Sequence, residues 1–199
     1  LTDAFIANGS SAWRIPEAGD YPEIKPRLLT DEELAKGWRP YKRDSETMSR
    51  FWAIPGMPGA MHRLGGLEKD YETSVISTDG HNHAIMVEAR RQKIRNIAVE
   101  VPPMEPMICP DADTILLGWG GTYGHLLAAA TELNAQGHKV AFWQFRYINP
   151  LPANTVETLS RYKRIIVAEL NTGMFADYLQ MHLPGKEILR INKVEGQPF

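Results

Sequence analysis

A chain of 199 residues with 43% hydrophobic residues, 23% charged residues and a formal net charge of -2 has the composition of a globular protein of one large or two small domains. That balance offers no basic field to gather nucleic acid and no run of lysine and arginine to mark a membrane surface. Cys109 is the single cysteine, which excludes an intrachain disulfide and a thiolate-held iron–sulfur cluster. No apolar run approaches the roughly 20 residues that span a bilayer, and the N-terminus lacks a basic region followed by an apolar stretch, so the cytoplasm is the expected compartment.

In chain order, residues 1–48 are punctuated by Pro16, Pro22, Pro26 and Pro40 and by Gly19, Gly37 and an Asn8-Gly9 turn pair, leaving little room for regular structure. This reads as an extended arm suited to lie on another domain. The opening Leu1-Thr2-Asp3 reads as the end of a strand that begins upstream, so the chain is expected to be a C-terminal fragment. Thr30 to Gly37 has a capping threonine, Glu33 three residues later and a glycine stop, the pattern of a single helical turn. From Gly56 to Asp70, glycine and proline turn the chain repeatedly while His62, Arg63, Glu68, Lys69 and Asp70 crowd charge into a few positions.

From Asn82 to about Ala98 the period is helical, with Ile85, Met86, Ala89, Ile94 and Ile97 as the apolar stripe and Asp79 or Asn82 as the cap. Val101-Pro102-Pro103-Met104-Glu105-Pro106 stops it and acts as a linker, placing a domain boundary near Pro110. Beyond it the chain alternates: strand Thr114–Gly118, helix Thr122–Gln136 ended by Gly137, strand Val140–Phe145, helix Asn154–Tyr162, strand Arg164–Leu170, helix Met174–His182, strand Glu187–Ile191. Such alternation with short connections predicts an α/β domain over residues 110–199, a mostly parallel sheet with helices on both faces.

Several groups invite chemistry. Gly118-x-Gly120-Gly121 follows a strand and opens a helix, as a dinucleotide phosphate loop does, but Tyr123 stands where the third glycine belongs and no acid ends the next strand. A tight strand-to-helix turn is the favoured reading, with an autonomous nucleotide-binding oxidoreductase domain as its rival. His81-x-His83 beside Asp79 suggests a metal, yet positions two apart on a helix diverge, which favours a helix start. Ser10-Ser11, Ser45 and Ser160 lack a nucleophile elbow, and Cys109 among prolines and apolar residues reads as structural. Glu169 ends a strand where α/β folds bind ligands; with Asn171 it is read as structural. No residue is assigned as catalytic, cofactor-binding or metal-binding. His62, Arg63, Lys69 and Asp70 remain candidates for contact with a dicarboxylate substrate or with another subunit.

Gly-Leu-Glu-Lys-Asp at 66–70 followed by Asn82-His83-x-x-Met86-Val87-x-x-Arg90 resembles the 2-oxoacid:ferredoxin oxidoreductase alpha subunits, most of all the 2-oxoglutarate branch. Gly118-Trp119-Gly120-Gly121-Thr122-Tyr123-Gly124, Tyr147-Ile148-Asn149-Pro150-Leu151-Pro152, Glu169-Leu170-Asn171-x-Gly173 and the tail from Asn192 to Phe199 recur in that order in the family's transketolase C-terminal-like domain. The resemblance implies that residues 1–109 are the end of a pyrimidine-binding domain, a linker arm and a helix. The implied reaction is thiamine diphosphate-dependent conversion of 2-oxoglutarate, CoA and oxidised ferredoxin to succinyl-CoA, CO2 and reduced ferredoxin. Thiamine diphosphate, Mg2+ and [4Fe-4S] clusters would lie in the complete complex, on a beta subunit and on parts upstream of Leu1. This piece would be silent alone and serve assembly; a non-catalytic interaction module is the other alternative.

Overall fold

The structure is a computed structural model that describes residues 15–199. The strand end expected at Leu1-Thr2-Asp3, the Asn8-Gly9 turn and Ser10-Ser11 lie outside these residues. The described chain divides into two compact units, residues 15–97 and 98–199.

The second unit is built on apolar runs that are buried on both sides. β1 (Thr114–Trp119), β2 (Val140–Phe145), β3 (Arg164–Glu169) and β4 (Ile188–Asn192) form one parallel sheet in the order β2-β1-β3-β4. Three helices connect them: α3 (Tyr123–Ala135), α4 (Thr155–Ser160) and α5 (Met174–His182). The boundaries fall within two residues of the expected ones for every strand. The helix expected at Asn154–Tyr162 is shorter, spanning Thr155–Ser160.

Alternation along the strands sorts the core into two layers. Leu116, Phe142 and Ala168 pack with Leu126 and Ala130 of α3. Ile115, Leu117, Ala141, Phe145, Ile165 and Val167 face the other way, against Leu159 of α4 and Phe175, Ala176 and Leu179 of α5. The connection from β1 leads to one side of the sheet and the connection from β3 to the other, so right-handed crossovers put their helices on opposite faces. Gly137, at φ 88, ends α3 in the left-handed conformation that favours glycine.

This unit takes in residues from Ala98 onward. Met104 and Ala112 enter its core, and Met107 exchanges hydrogen bonds with Phe142 at 2.7 and 2.9 Å, laying a short antiparallel bridge on the outer edge of β2.

In residues 15–97 the regular elements are α1 (Asp31–Ala35) and α2 (Gly80–Asn96), with a 3-10 turn at Ala18–Asp20. Thr30 Oγ1 accepts from the Glu33 N–H at 3.2 Å and Gly37 follows at φ 84, as the sequence pattern predicts. α2 begins two residues before the expected Asn82, because Asp79 accepts the Asn82 N–H at 2.7 Å and is the cap. Its expected apolar stripe is only partly buried. Asn82, Met86 and Ala89 turn inward, one above the other at helical spacing, whereas Ile85, Ile94 and Ile97 are 37%, 40% and 42% exposed. The narrow buried side follows from having an irregular loop, not a second helix or a sheet, as the packing partner.

Gly118 carries a sharp steric constraint. A Cβ there would lie 2.4 Å from Leu126 Cδ1, 2.6 Å from Thr122 Oγ1 and 2.7 Å from Gln144 Oε1. Gly118→Ala is therefore expected to destabilise the α/β unit by about 1–3 kcal/mol, read as a lower urea midpoint at unchanged slope.

Candidate functional site

Two places in the fold could carry chemistry: the carboxyl end of the sheet, and the charged loop ahead of α2. At the sheet, the strand order reverses between β1 and β3, the point where open α/β sheets take ligands. Here a side chain of the protein itself fills it. Glu169 is fully buried, and its carboxylate accepts from Trp119 Nε1 at 3.1 Å, Asn171 Nδ2 at 3.0 Å, and the N–H groups of Phe175 and Ala176 at 2.9 Å each. The last two are free donors of the first turn of α5, so the carboxylate meets the positive end of that helix. Asn171 Oδ1 in turn accepts from the N–H groups of Gly173 at 2.7 Å and Met174 at 2.9 Å. Gly173 sits at φ 102 with Asn192 Nδ2 3.1 Å from where a Cβ would lie. Every named residue of Glu169-Leu170-Asn171-x-Gly173 except Leu170 thus has a task in starting α5.

The loop after β1 is closed in the same manner. Thr122 Oγ1 donates to the Trp119 carbonyl at 2.8 Å and accepts its N–H at 3.2 Å, and Gln144 Nε2 donates to the Gly120 carbonyl at 2.9 Å. The glycines answer to packing at Gly118 and to φ 60 at Gly120. Their spacing is that of a turn, and Tyr123 occupies the third glycine position of a dinucleotide loop.

The charged loop and α2 form a clamp built from polar side chains. Asn82, 8% exposed, donates to the Lys69 carbonyl at 3.0 Å and accepts the Tyr71 N–H at 2.9 Å. Glu68 reaches across to His83 Nδ1 at 3.1 Å and Arg90 Nη2 at 3.4 Å. The Met86 sulfur accepts from Arg43 at 3.7 Å. Glu68, Asn82, His83 and Arg90, with the Lys69 carbonyl, thus tie the loop to α2, and Met86 ties α2 to Arg43.

The candidate contacts divide between inward and outward positions. Lys69, 1% exposed, donates its ammonium to the carbonyls of Gly65 and Leu67 within its own loop. Asp70 accepts from the N–H groups of Glu72 and Thr73 and the Thr73 hydroxyl, which hold its carboxyl below the usual range, the Thr73 N–H foremost. His62 Nδ1 contacts the Ala60 carbonyl at 2.8 Å and its ring lies edge-on to Trp38 at 5.2 Å. Arg63 is exposed. Among the described residues no hydrogen bond or ion pair joins these four side chains to one another. His62 lines a cavity of about 230 Å3 with Arg50, Trp52 and Leu64. Asp79, the would-be metal ligand, is a cap; His81 is exposed and His83 is committed to Glu68. Cys109 is half-buried against the α/β core.

Asp44 was not singled out by the sequence reading. It accepts from the Thr47 N–H at 2.8 Å, the Thr47 hydroxyl at 2.9 Å and Arg27 at 3.1 Å, and these bonds hold its carboxyl far below the usual range. The signal was present: Asp44-Ser45-Glu46-Thr47 and Asp70-Tyr71-Glu72-Thr73 repeat one Asp-x-Glu-Thr pattern, and both fold as the same side-chain-closed turn.

Comparison with known proteins decides the relationship. The family model "Transketolase, C-terminal domain" matches residues 106–176. Over its whole length the chain is 41% identical to the 2-oxoglutarate oxidoreductase subunit KorA of Mycobacterium tuberculosis, covering 30% of that relative. Over its whole length the chain is similar to a C-terminal part of the 2-oxoacid:ferredoxin oxidoreductase alpha subunits. It is also 33% identical over 86% of its length to the alpha subunit of 2-oxoacid:ferredoxin oxidoreductase 1 of Aeropyrum pernix, covering 27% of it. The chain therefore spans about a third of the length of these curated alpha subunits, and it matches a C-terminal part of them. In structure it resembles the 2-oxoglutarate:ferredoxin oxidoreductase from Magnetococcus marinus, which was solved with 2-oxoglutarate, coenzyme A and succinyl-CoA bound. The TM-score is 0.81 at 24% identity, over 92% of this chain and 32% of the other, a likeness of fold. In this chain, the motifs that carry the resemblance are the ones that start α5, close the β1 loop and clamp the charged loop to α2.

Two outcomes follow. Asn82→Ala leaves the Lys69 carbonyl and the Tyr71 N–H without their partner, so residues 15–97 are expected to lose about 1–3 kcal/mol and the 56–70 loop to be cleaved faster in limited proteolysis. Asp44 and Asp70 have lowered folded-state pKa values, so their contribution is full above the ordinary carboxyl range near about pH 4 and is lost as pH falls through the lowered values. Urea unfolding of this unit should weaken below about pH 4, and the double variant Asp44→Asn, Asp70→Asn should flatten that dependence.

Proposed function

We propose that this chain is the C-terminal part of the alpha subunit of a thiamine diphosphate-dependent 2-oxoglutarate:ferredoxin oxidoreductase. The complete enzyme would convert 2-oxoglutarate, CoA and oxidised ferredoxin to succinyl-CoA, CO2 and reduced ferredoxin in the cytoplasm. The observation that carries this reading is 41% identity over the whole chain to a subunit named 2-oxoglutarate oxidoreductase subunit KorA. Residues 110–199 are then the transketolase C-terminal-like domain, and 1–109 the end of the pyrimidine-binding domain with its arm and helix.

The task we assign to this piece is assembly and shape. Thiamine diphosphate, Mg2+ and the iron–sulfur clusters belong, in this reading, to the rest of the complex. Its own residues do not fit those groups: the Glu169 carboxylate fills the ligand position at the sheet, a single cysteine cannot hold a cluster, and no trio of metal-ligating side chains gathers among the described residues. No described helix is long and apolar enough to cross a membrane.

Contact with the beta subunit or the 2-oxoacid falls, on this proposal, to the outward part of the charged loop. His62 and Arg63 stand there with Met61, Leu64 and Leu67, which are 98%, 66% and 66% exposed. An apolar surface of this kind fits burial against another chain. Lys69 and Asp70 act indirectly, by fixing the loop's course.

The test is the visible spectrum of the purified parent complex. Iron–sulfur absorbance should bleach when 2-oxoglutarate and CoA are added together and not with either alone. Bleaching by pyruvate instead would reassign the substrate, and a complex without iron would overturn the reading. Arg63→Ala should weaken co-purification of the beta subunit or raise KM for 2-oxoglutarate.

A further inference from the structure

The outer edge of β2 is covered in two places and open in a third. Within a parallel strand the N–H and C=O of one residue point to the same side, and the side alternates along the chain. Val140 faces outward and is satisfied by Asn134, whose side chain accepts its N–H at 3.3 Å and donates to its carbonyl at 2.8 Å. Phe142, two residues on, is satisfied by Met107. Gln144 is next in the same parity, and among the described residues nothing pairs with its outward backbone groups. The covering segment leaves the edge there for a chemical reason. In the antiparallel register Glu105 would come next, opposite Gln144, but no such bond forms among the described residues, and Asn154 draws Met104 away by accepting its N–H at 2.7 Å and donating to its carbonyl at 3.0 Å.

A cavity of about 190 Å3 lies at this opening, lined among others by Met107, Tyr123, Trp143, Gln144, Arg146 and Pro152. Trp143 belongs to the α4/α5 side of the sheet, and Gln144, bonded to the Gly120 carbonyl and, like Leu126 of α3, close to where a Cβ on Gly118 would lie, to the α3 side. The cavity therefore straddles the edge. Two buried polar atoms here have no partner among the described residues: Oε1 of Gln144, a residue 7% exposed, and the Trp143 indole N–H. Arg146 is exposed, and no acidic side chain among the described residues pairs with it.

We propose that this open end of β2 accepts an extended, acidic segment of a partner protein by strand addition. Backbone vacancy in register with the existing Met107 bridge is what an added strand fills, and a space on both sides of the edge is what its alternating side chains need. The unpaired Arg146 selects an acidic residue where the segment leaves the cavity. Strand addition at these residues does not rest on the reading of the charged loop or on the reaction proposed above, so neither test decides the other.

The probe is a capped peptide of alternating valine and glutamate, titrated into the purified protein by fluorescence anisotropy, with amide exchange followed residue by residue. Saturable binding that slows exchange of the Gln144 N–H is expected. Arg146→Glu should weaken it by about tenfold, and a peptide with lysine for glutamate should recover binding to that variant. Arg146 is at the surface, so the variant keeps the fold. No binding, binding that leaves Gln144 exchange unchanged, indifference to the charge swap, or self-association through this edge would each overturn the proposal.

Discussion

A buried carboxylate holds the carboxyl end of the sheet together. Glu169 sits at the last position of β3, without access to water, and ties β1 through Trp119, the β3–α5 turn through Asn171, and α5 through two backbone N–H groups. A charge in that place is tolerated because every bond it accepts is directed and two come from a helix N-terminus. The same bonds fix the start of α5, whose Phe175, Ala176 and Leu179 close one layer of the core. They also fill the crevice that a doubly wound sheet ordinarily reserves for a ligand. The domain has committed this position to its own stability, which fits the assembly role proposed for it.

Residues 15–97 reach order by different means. Their fully buried apolar side chains are few, Leu29, Ala60, Met86 and Ala89 among them, so side-chain-to-backbone bonds carry much of the organisation. Asn82, Asp44 and Asp70 each satisfy backbone groups that an irregular chain would otherwise leave unpaired. Arg43 is held below the usual guanidinium range first by burial, then by Arg50 and Arg90. A segment shaped in this way presents its outward residues, Met61, Arg63 and Leu64, on a frame that does not depend on them.

The α/β half was legible in the sequence because two simple periods control it. Leu116 and Leu117 can both be buried only in a strand covered on both faces, and Gly137 and Gly173 mark helix ends that backbone geometry demands. The site was legible in its membership but less so in its directions. The spacing of Glu68, Asn82, His83 and Arg90 identified a set, while nothing in the sequence says that Lys69 turns inward to carbonyls. Ile85, Ile94 and Ile97 illustrate the same limit: a helical period identifies a face, but what covers it depends on neighbours that periodicity does not name. Asn82 was legible as a possible cap, and it became a tie to the loop because Asp79 took the cap first.

The central claim, that an internal carboxylate occupies the ligand position and locks the sheet to α5, is tested most directly by urea unfolding of Glu169→Gln. The substitution keeps the shape and puts an amide NH2 where one carboxylate oxygen accepted bonds. A loss of roughly 3 kcal/mol, with exchange accelerated at the N–H groups of Phe175 and Ala176, is the result the account predicts. Unchanged stability with those two amides still protected would contradict it.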